Sequence, residues 1–350
     1  LPFDVRYNRA AFDLAGPGHF EQTRGFLHLG GTLFMLKKIG LIGGGNIGGV
    51  LAQEVFQRNL AQTVALVDVK GPDVAKGKCL DMAQGTPIID SDVKFEAGKT
   101  YDVLKDADLI VNTAGVPRTV RPDGTFPSRE ELLAVNLKIT DSVAAAIKEF
   151  CPNAIVISVA NPLDAIVYRL HQKLGMPKHK LMGMAGALDS SRYRYFVAAA
   201  AGVSVSNVEA LVLGGHGDDM VPIRSCCRIA GMPVEQFVDD ATLSAIETRT
   251  RKAGGEIVGL LGVSAFWSPA LSAIEMVEAI VYDKKKIIPS CVLLEGEYGV
   301  NGLFVGVPVV LGRNGIERII EVQMSDGEKA AFAKSVGAVK KTTDEVIAVP

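Results

Sequence analysis

Cysteine is scarce and unpatterned in this 350-residue chain. The five cysteines, Cys79, Cys151, Cys226, Cys227 and Cys291, are scattered, odd in number and form no C-x-x-C. That argues against a disulfide framework and fits the reduced thiols of a cytosolic enzyme, so a cytoplasmic location is expected. The five histidines show no zinc-ligand spacing, so no metal site is expected. Neither sign of charge dominates: the formal net charge is −2, and nothing suggests a polyanionic partner such as nucleic acid. No uninterrupted apolar run is long enough to cross a bilayer, so no membrane partner is expected either. G-x-S-x-G, a Walker lysine behind a glycine loop, and H-E-x-x-H are all missing, which removes the reactions those motifs serve. Residues 1–34 contain neither lysine nor serine, and Asp4, Asp13 and Glu21 balance Arg6, Arg9 and Arg24. They therefore lack the basic start and apolar core of a secretory signal and the serine-rich, acid-poor character of a transit peptide. They read as a disordered extension or an upstream translated segment, with the working protein starting near Met35.

What the chain does have is a glycine turn around which the rest is organised. An apolar run from Lys37 to Ile42 ends in Gly43-Gly44-Gly45-Asn46-Ile47-Gly48, a G-x-G-x-x-G, and a helical pattern follows at once. In such a turn Gly43 makes the tight bend, Gly45 lets a pyrophosphate approach the backbone, and Gly48 lets helix pack close on strand. The N-terminal N–H groups of the helix would face the phosphates. A second strand, Thr63 to Val67, ends in Asp68, 20 residues past Gly48. A carboxylate there meets the ribose hydroxyls and favours NAD over NADP.

Strand and helix patterns then alternate. Helical stretches at about Val74–Met82 and Glu130–Phe150 flank a strand from Asp108 that runs into Asn112-Thr113-Ala114-Gly115. Another strand, Ala154 to Val159, runs into Ala160-Asn161-Pro162. This alternation implies βαβ units and a parallel sheet. Ligands bind beyond the carboxyl ends of such strands, so Gly43, Asp68, Gly115 and Asn161 should line one crevice. The second half is mixed. A helical run follows Asp189 and Arg192, and a strand, Val208–Leu213, leads into Gly214-Gly215-His216-Gly217-Asp218. Helices are expected at Asp239–Leu261, Trp267–Tyr282 and Asp326–Lys340, and strands at Ile287–Leu294, Leu303–Leu311 and Ile316–Val322. The expected fold is α/β: a Rossmann-type doubly wound parallel sheet over residues 35–161, then a mixed α+β catalytic domain over 162–345.

Several polar residues could carry chemistry. His216 lies between glycines at a strand end, where a ring can approach a ligand and titrate near neutrality; alone, such a histidine is more often structural. Asp189 and Arg192 stand three apart at a helix start, on one face, and by themselves read as a helix-terminal pair. Asn161 before a proline is often only a turn residue. Arg118, Arg121 and Arg129 lie in a polar stretch that would usually be a solvated face. Tyr282 and Lys286 form a Y-x-x-x-K, but far from the glycine turn and within a lysine run; we read it as a helix end with cations at its carboxyl pole.

Taken together, Ile42 to Gly48, Asn112-Thr113-Ala114-Gly115-Val116-Pro117-Arg118, Val159-Ala160-Asn161-Pro162, Gly186-Ala187-Leu188-Asp189-Ser190-Ser191-Arg192 and Gly214-Gly215-His216-Gly217-Asp218 resemble the lactate/malate dehydrogenase family. Within it the likeness is to the lactate-dehydrogenase-like malate dehydrogenases of bacterial type, and it covers about Met35 to Lys340. The resemblance implies NAD as cofactor and reversible hydride transfer between (S)-malate and NAD+, giving oxaloacetate and NADH. It implies that Gly43, Gly44, Gly45, Asn46, Ile47 and Gly48 cradle the pyrophosphate and that Asp68 holds the ribose. Asn136, Val159, Ala160 and Asn161 would contact the nicotinamide half, and Asn161 the substrate as well. His216 would be the general acid/base and Asp189 its orienting partner. Arg192 would bind the C1 carboxylate, Arg129 would polarise the C2 oxygen, and Arg118 would receive malate's second carboxylate. Relatives are homodimers or homotetramers, so the same is expected here.

The sequence departs from the pattern in one place. Arg118 and Arg129 are 11 positions apart, against six in the usual malate dehydrogenase loop. A lengthened loop is also what parasite lactate dehydrogenases of malate-dehydrogenase descent look like, which keeps L-lactate or a broader 2-hydroxy-acid specificity as the alternative. Those enzymes cover the substrate with a loop tryptophan; here the nearest equivalent is Phe126, and Arg118 is retained. Ala265 resembles the small residue of malate enzymes, and malate is favoured. A non-catalytic NAD-binding module would be expected to lose His216, Asp189 or the arginines, and all are present. The metal- and NAD-dependent glycosidases of this fold would need Cys/His ligands that find no place here.

Overall fold

The structure, a computed structural model, describes residues 35–70, 73–117 and 129–348, the side chains at positions 129 and 130 excepted. Residues 1–34 and the lengthened segment carrying Arg118, Arg121 and Phe126 lie outside the described residues. The chain opens with β1 (Leu36–Ile42), α1 (Asn46–Gln57), β2 (Ala61–Val67), α2 (Val74–Gly85), β3 (Lys94–Gly98), β4 (Leu109–Asn112), α3 (Arg129–Phe150), β5 (Ile155–Ser158), α4 (Leu163–Leu174) and β6 (Leu181–Gly183). It continues through α5 (Gly186–Ala201), β7 (Val208–Leu213), β8 (Val221–Ile229), β9 (Met232–Pro233), α6 (Asp240–Leu261) and α7 (Trp267–Val281). β10 (Lys286–Glu295), β11 (Asn301–Gly312), β12 (Gly315–Ile319) and α8 (Asp326–Ile347) complete it.

Six strands pair in parallel in the order β3-β2-β1-β4-β5-β6, the doubly wound arrangement expected from the alternation. The same sheet then runs on. β10 pairs antiparallel to β6, β11 to β10 and β12 to β11, making nine strands in all. β7, β8 and β9 form a separate antiparallel sheet.

A parallel sheet covered on both faces needs apolar residues at successive positions, since successive side chains point to opposite faces. Ile39 and Leu41, Leu109 and Val111, and Ile155 and Ile157 face one core with Leu51 and Val55 of α1 and Ile274 and Val277 of α7. Their neighbours Ile42, Ile110 and Val156 face the other, with Leu137 and Ile147 of α3 and Ile166 and Leu170 of α4. A third core, around Tyr193, Val197, Val212 and Leu243, joins α5 and α6 to the smaller sheet. Among the described residues no helix is long and apolar enough to cross a membrane.

The Y-x-x-x-K pair is structural in its contacts. Tyr282 caps the end of α7 and donates to the Arg58 carbonyl at 3.3 Å, while Lys286 opens β10 and pairs with Glu275 at 2.6 Å.

The glycine turn is built as the motif demands. Gly43 has φ +103°, in the region that favours glycine. A Cβ on Gly48 would overlap the Gly43 carbonyl oxygen, so α1 can approach β1 this closely only without a side chain there. Gly48→Ala should therefore force the turn and helix apart. We expect a loss of roughly 1–3 kcal/mol in urea unfolding, the usual range for overpacking, with weaker NADH binding by fluorescence titration. Unchanged stability and binding would mean that the turn has room the structure does not show.

Candidate active site

Five segments leave the carboxyl ends of the parallel strands. Gly43 follows β1, Asp68 follows β2, Thr113 to Gly115 follow β4, Val159 to Asn161 follow β5, and the start of α5 follows β6. His216 follows β7 of the smaller sheet. Beyond the parallel strand ends lies a cavity of about 780 Å³, lined by Gly43, Asn46, Asp68, Gly115, Ala265 and Phe266 among others, within the size range of cofactor sites.

The crevice fits a dinucleotide on its own geometry. α1 starts at Asn46 with Gly45 as its N-cap and no side-chain cap, so N–H groups of its first turn have no intrahelical partner. Nothing lies within 4 Å of where a Gly45 Cβ would be, which leaves the backbone open to a phosphate. Asp68 is held at the β2 end by two backbone donors: Oδ2 accepts from Gly44 N at 2.9 Å and Oδ1 from Lys70 N at 3.1 Å. Further along, Gly115 backs onto Asn136 and Ala160. The Asn136 carboxamide accepts from Val116 N at 2.7 Å and donates to the Asn161 carbonyl at 2.7 Å. Val159 and Ala160 are buried, and the Asn161–Pro162 bond is cis.

His216 sits in a turn whose backbone is tied residue by residue. Gly214 and Gly306 of β11 exchange two N–H to carbonyl bonds of 2.9 Å each. Gly215 N donates to the Ser335 hydroxyl of α8 at 2.9 Å, and His216 N donates to Asp164 Oδ2 at 3.0 Å. On the other side, Val212 N donates to the Ser190 hydroxyl at 2.9 Å, locking β7 to α5. The imidazole Nδ1 then donates to Asp189 Oδ2 at 2.8 Å, while Arg192 Nη1 donates to Asp189 Oδ1 at 3.2 Å. The Asp189 side chain is 3% exposed, Arg192 12% and His216 16%. The Arg192 Nε is buried and without a hydrogen-bond partner among the described residues, a donor free to meet an acceptor entering the site.

Burial is the largest single influence on His216 and pulls its pKa down. Asp189, through charge and hydrogen bond, and Asp164, through charge, outweigh burial and the opposing Arg192, so the ring is held above its ordinary value. Because Nδ1 donates to Asp189, Nε2 is the nitrogen left to exchange a proton. Asp164 is pushed upward, chiefly by burial; its Oδ1 accepts from the Cys291 thiol at 3.1 Å, and burial and that carboxylate hold the thiol well above its usual range.

Of the residues singled out in the sequence, Gly43, Gly45, Asn46, Ile47 and Asp68 line the cavity, and Asn136 and Ala160 stand behind its lining residue Gly115. His216, Asp189 and Arg192 form one hydrogen-bonded cluster. Arg129 is the first residue of α3, with its side chain outside the described set, and Arg118 lies outside the described residues. Asp164 and Ser335 were not anticipated. Asp164 reads as an ordinary acid in the first turn of a helix, and its contact with His216, 52 positions on, leaves no local signal. Among the described residues no three His, Cys, Asp or Glu side chains cluster as a metal site would need.

A glycine turn, an acid at the second strand end and a crevice beyond the parallel strands make a nicotinamide-dinucleotide site; the class is that of the NAD-dependent 2-hydroxy-acid dehydrogenases. Residues 37–183 match the family model described as lactate/malate dehydrogenase, NAD binding domain, and residues 186–349 that of the lactate/malate dehydrogenase alpha/beta C-terminal domain. The chain belongs to the lactate/malate dehydrogenase family. It is 51% identical over 312 residues to malate dehydrogenase 1 of Anaeromyxobacter dehalogenans, covering 88% of this chain and 98% of that one. Among solved structures, Cryptosporidium parvum malate dehydrogenase superposes with a TM-score of 0.85 at 41% identity, over 90% of this chain and 100% of that one. Cryptosporidium parvum lactate dehydrogenase, complexed with lactic acid and nicotinamide adenine dinucleotide, gives 0.84 at 37% identity, over 90% and 99%.

The electrostatics of His216 can be read directly. Since folding raises its pKa above 6.5, its contribution to stability is complete below that value and is lost as pH rises through the folded value. Asp189→Asn removes the strongest upward influence and leaves burial and Arg192 opposed only by the charge of Asp164, so the ring should titrate lower than in the unaltered protein. Nitrogen-resolved NMR of the five histidines measures this; a His216 resonance with an unmoved midpoint would show that Asp189 does not control the ring.

Proposed function

We propose that the chain is an NAD-dependent malate dehydrogenase, interconverting (S)-malate and NAD+ with oxaloacetate and NADH. The observation that carries this reading is the Asp189 carboxylate shared by His216 and Arg192, in a chain that also builds a dinucleotide crevice. A 2-hydroxy acid brings the two groups such a cluster lacks: a carboxylate for the guanidinium and a hydroxyl for the imidazole. The curated relatives named malate dehydrogenase, at 45–51% identity, favour malate, as does the small Ala265 at the crevice wall.

When bound, the nicotinamide supplies the hydride acceptor or donor at C2. The chain's own residues do the rest. His216 Nε2 takes the hydroxyl proton of malate and returns it to oxaloacetate. Asp189 fixes the ring's tautomer and stabilises the imidazolium. Arg192 grips the C1 carboxylate with two parallel donors. Arg129 supplies positive charge where the C2 oxygen becomes an alkoxide, Arg118 receives the second carboxylate, and Asn161 orients the substrate. Gly43 to Gly48 take the pyrophosphate, Asp68 the ribose hydroxyls, and Asn136 with Val159, Ala160 and Asn161 frames the nicotinamide half. A homodimer or homotetramer working in the cytoplasm, without nucleic-acid or membrane partners, completes the reading.

Two experiments test it. His216→Asn keeps a hydrogen bond but cannot carry the proton, so kcat should fall by roughly 10²–10⁴-fold while NADH still binds; an unchanged kcat would rule His216 out as the base. Initial rates of NADH oxidation should be far higher with oxaloacetate than with pyruvate, whose methyl group would leave the Arg118 guanidinium buried and unpaired. Breaking a buried ion pair costs about 3–5 kcal/mol, or roughly 10²–10³-fold or more in kcat/KM. If Arg118→Ala leaves oxaloacetate turnover intact while Phe126→Ala removes pyruvate turnover, the lactate reading replaces the malate one.

A further inference from the structure

Lys78 of α2 reaches back across α1 to the glycine turn. Its ammonium donates to the Gly44 carbonyl at 2.8 Å and to the Gly45 carbonyl at 2.7 Å. A Cβ on Gly49 would stand 2.8 Å from Nζ and 3.4 Å from the stem carbons, so the chain lies against the helix start. The Gly45 carbonyl also accepts from Gly49 N at 3.0 Å and is thus gripped from two sides. Burial pulls the lysine below its usual range, and Asp68 draws it back up.

The geometry of the peptide unit gives this grip a consequence. In a trans peptide the carbonyl of one residue and the N–H of the next lie in one plane and point in opposite directions. Drawing the Gly44 and Gly45 oxygens toward Lys78 therefore aims the N–H groups of Gly45 and Asn46 the other way. Gly45 and Asn46 both line the cavity, and α1 starts at Asn46 with no side-chain cap. Gly44 N is already committed to Asp68 Oδ2 at 2.9 Å, so the turn is held by an anion on one edge and a cation on the other.

We infer that Lys78 is a positioning residue for the cofactor: by holding the Gly44 and Gly45 carbonyls it sets the peptide planes whose N–H groups receive a pyrophosphate, and it puts one positive charge behind that turn. The inference rests on the dinucleotide reading of the crevice and deepens it. Its ligand class is the pyrophosphate-bridged adenine nucleotide, either the whole dinucleotide or ADP-ribose. A nucleoside without phosphates should not sense Lys78.

The test uses the full chain and Lys78→Met, whose side chain keeps most of the unbranched apolar stem without donor or charge. NADH binding is titrated by fluorescence, and ADP-ribose and adenosine are titrated as competitors. Charged hydrogen bonds are worth enough that the affinities of NADH and ADP-ribose should fall roughly 10- to 100-fold, while adenosine competes as before. In steady-state rates the loss should fall on the KM for NADH more than on kcat. Lys78→Arg, which restores charge and donors, should recover most of the affinity. If Lys78→Met binds NADH and ADP-ribose as the unaltered protein does, or weakens adenosine equally, the inference is overturned. Should Lys78→Met not fold, Lys78→Gln, neutral but still a donor, decides by the same comparison. Failure of the unaltered protein to bind NADH would count against the dinucleotide reading itself, a separate outcome.

Discussion

A single buried carboxylate organises the working end of this molecule. Asp189 is 2% exposed, and an ionised carboxyl so placed must be paired on both oxygens to be tolerable. One oxygen takes His216 and the other Arg192. The pairing that makes the charge acceptable also sets the distance between an imidazole and a guanidinium. Asp164 repeats the device one layer back, where it fixes the His216 backbone rather than its ring. The geometry of the cluster is a by-product of satisfying buried charge.

That arrangement needs rigid supports, and it has them in separate parts of the chain. Asp189 rides on α5, His216 on the turn after β7, Asp164 on α4, Ser335 on α8 and Gly306 on β11. Each is placed by apolar packing of its own element: Phe332 and Val339 bury one side of α8, and Leu163, Ile166 and Leu170 one stripe of α4. Local unfolding of β11, α8 or α4 would release one of the three backbone ties on the histidine turn, and of α5 the tie on its ring.

The parallel half was largely legible in the sequence because its signals are local. Gly43, Gly45 and Gly48, a strand, and Asp68 at its end fall within one βαβ unit. The bonds around Asp189 were not readable from residue types alone; the family likeness suggested the partners, and the structure supplies the distances. Some elements were missed for physical reasons. β8 contains Pro222 and a run of Arg, Ser and Cys, which argues against a strand although it is the middle of its sheet. β3 and β6 are short and bordered by turns. α4 follows Asn161-Pro162, which reads as a turn, yet Leu163, Ile166, Val167, Leu170 and Leu174 are its buried stripe. α8 runs to Ile347 rather than stopping near Lys340. The contacts of Asp164 and Ser335 with the histidine turn cross 52 and 120 positions, and no periodicity encodes them.

The continuity of the nine-stranded sheet has an architectural consequence. The last parallel strand meets the antiparallel group where Gly183 pairs with Cys291, and a Cβ on Gly183 would touch that cysteine's Cβ at 3.0 Å. The parallel strands and the antiparallel strands that follow them are therefore joined through backbone bonds within one sheet, so the two cannot be recombined without remaking that junction. A hybrid assembled from two relatives would inherit a working junction only if the residues corresponding to Gly183 and Cys291 were complementary in size, whatever the quality of each half alone.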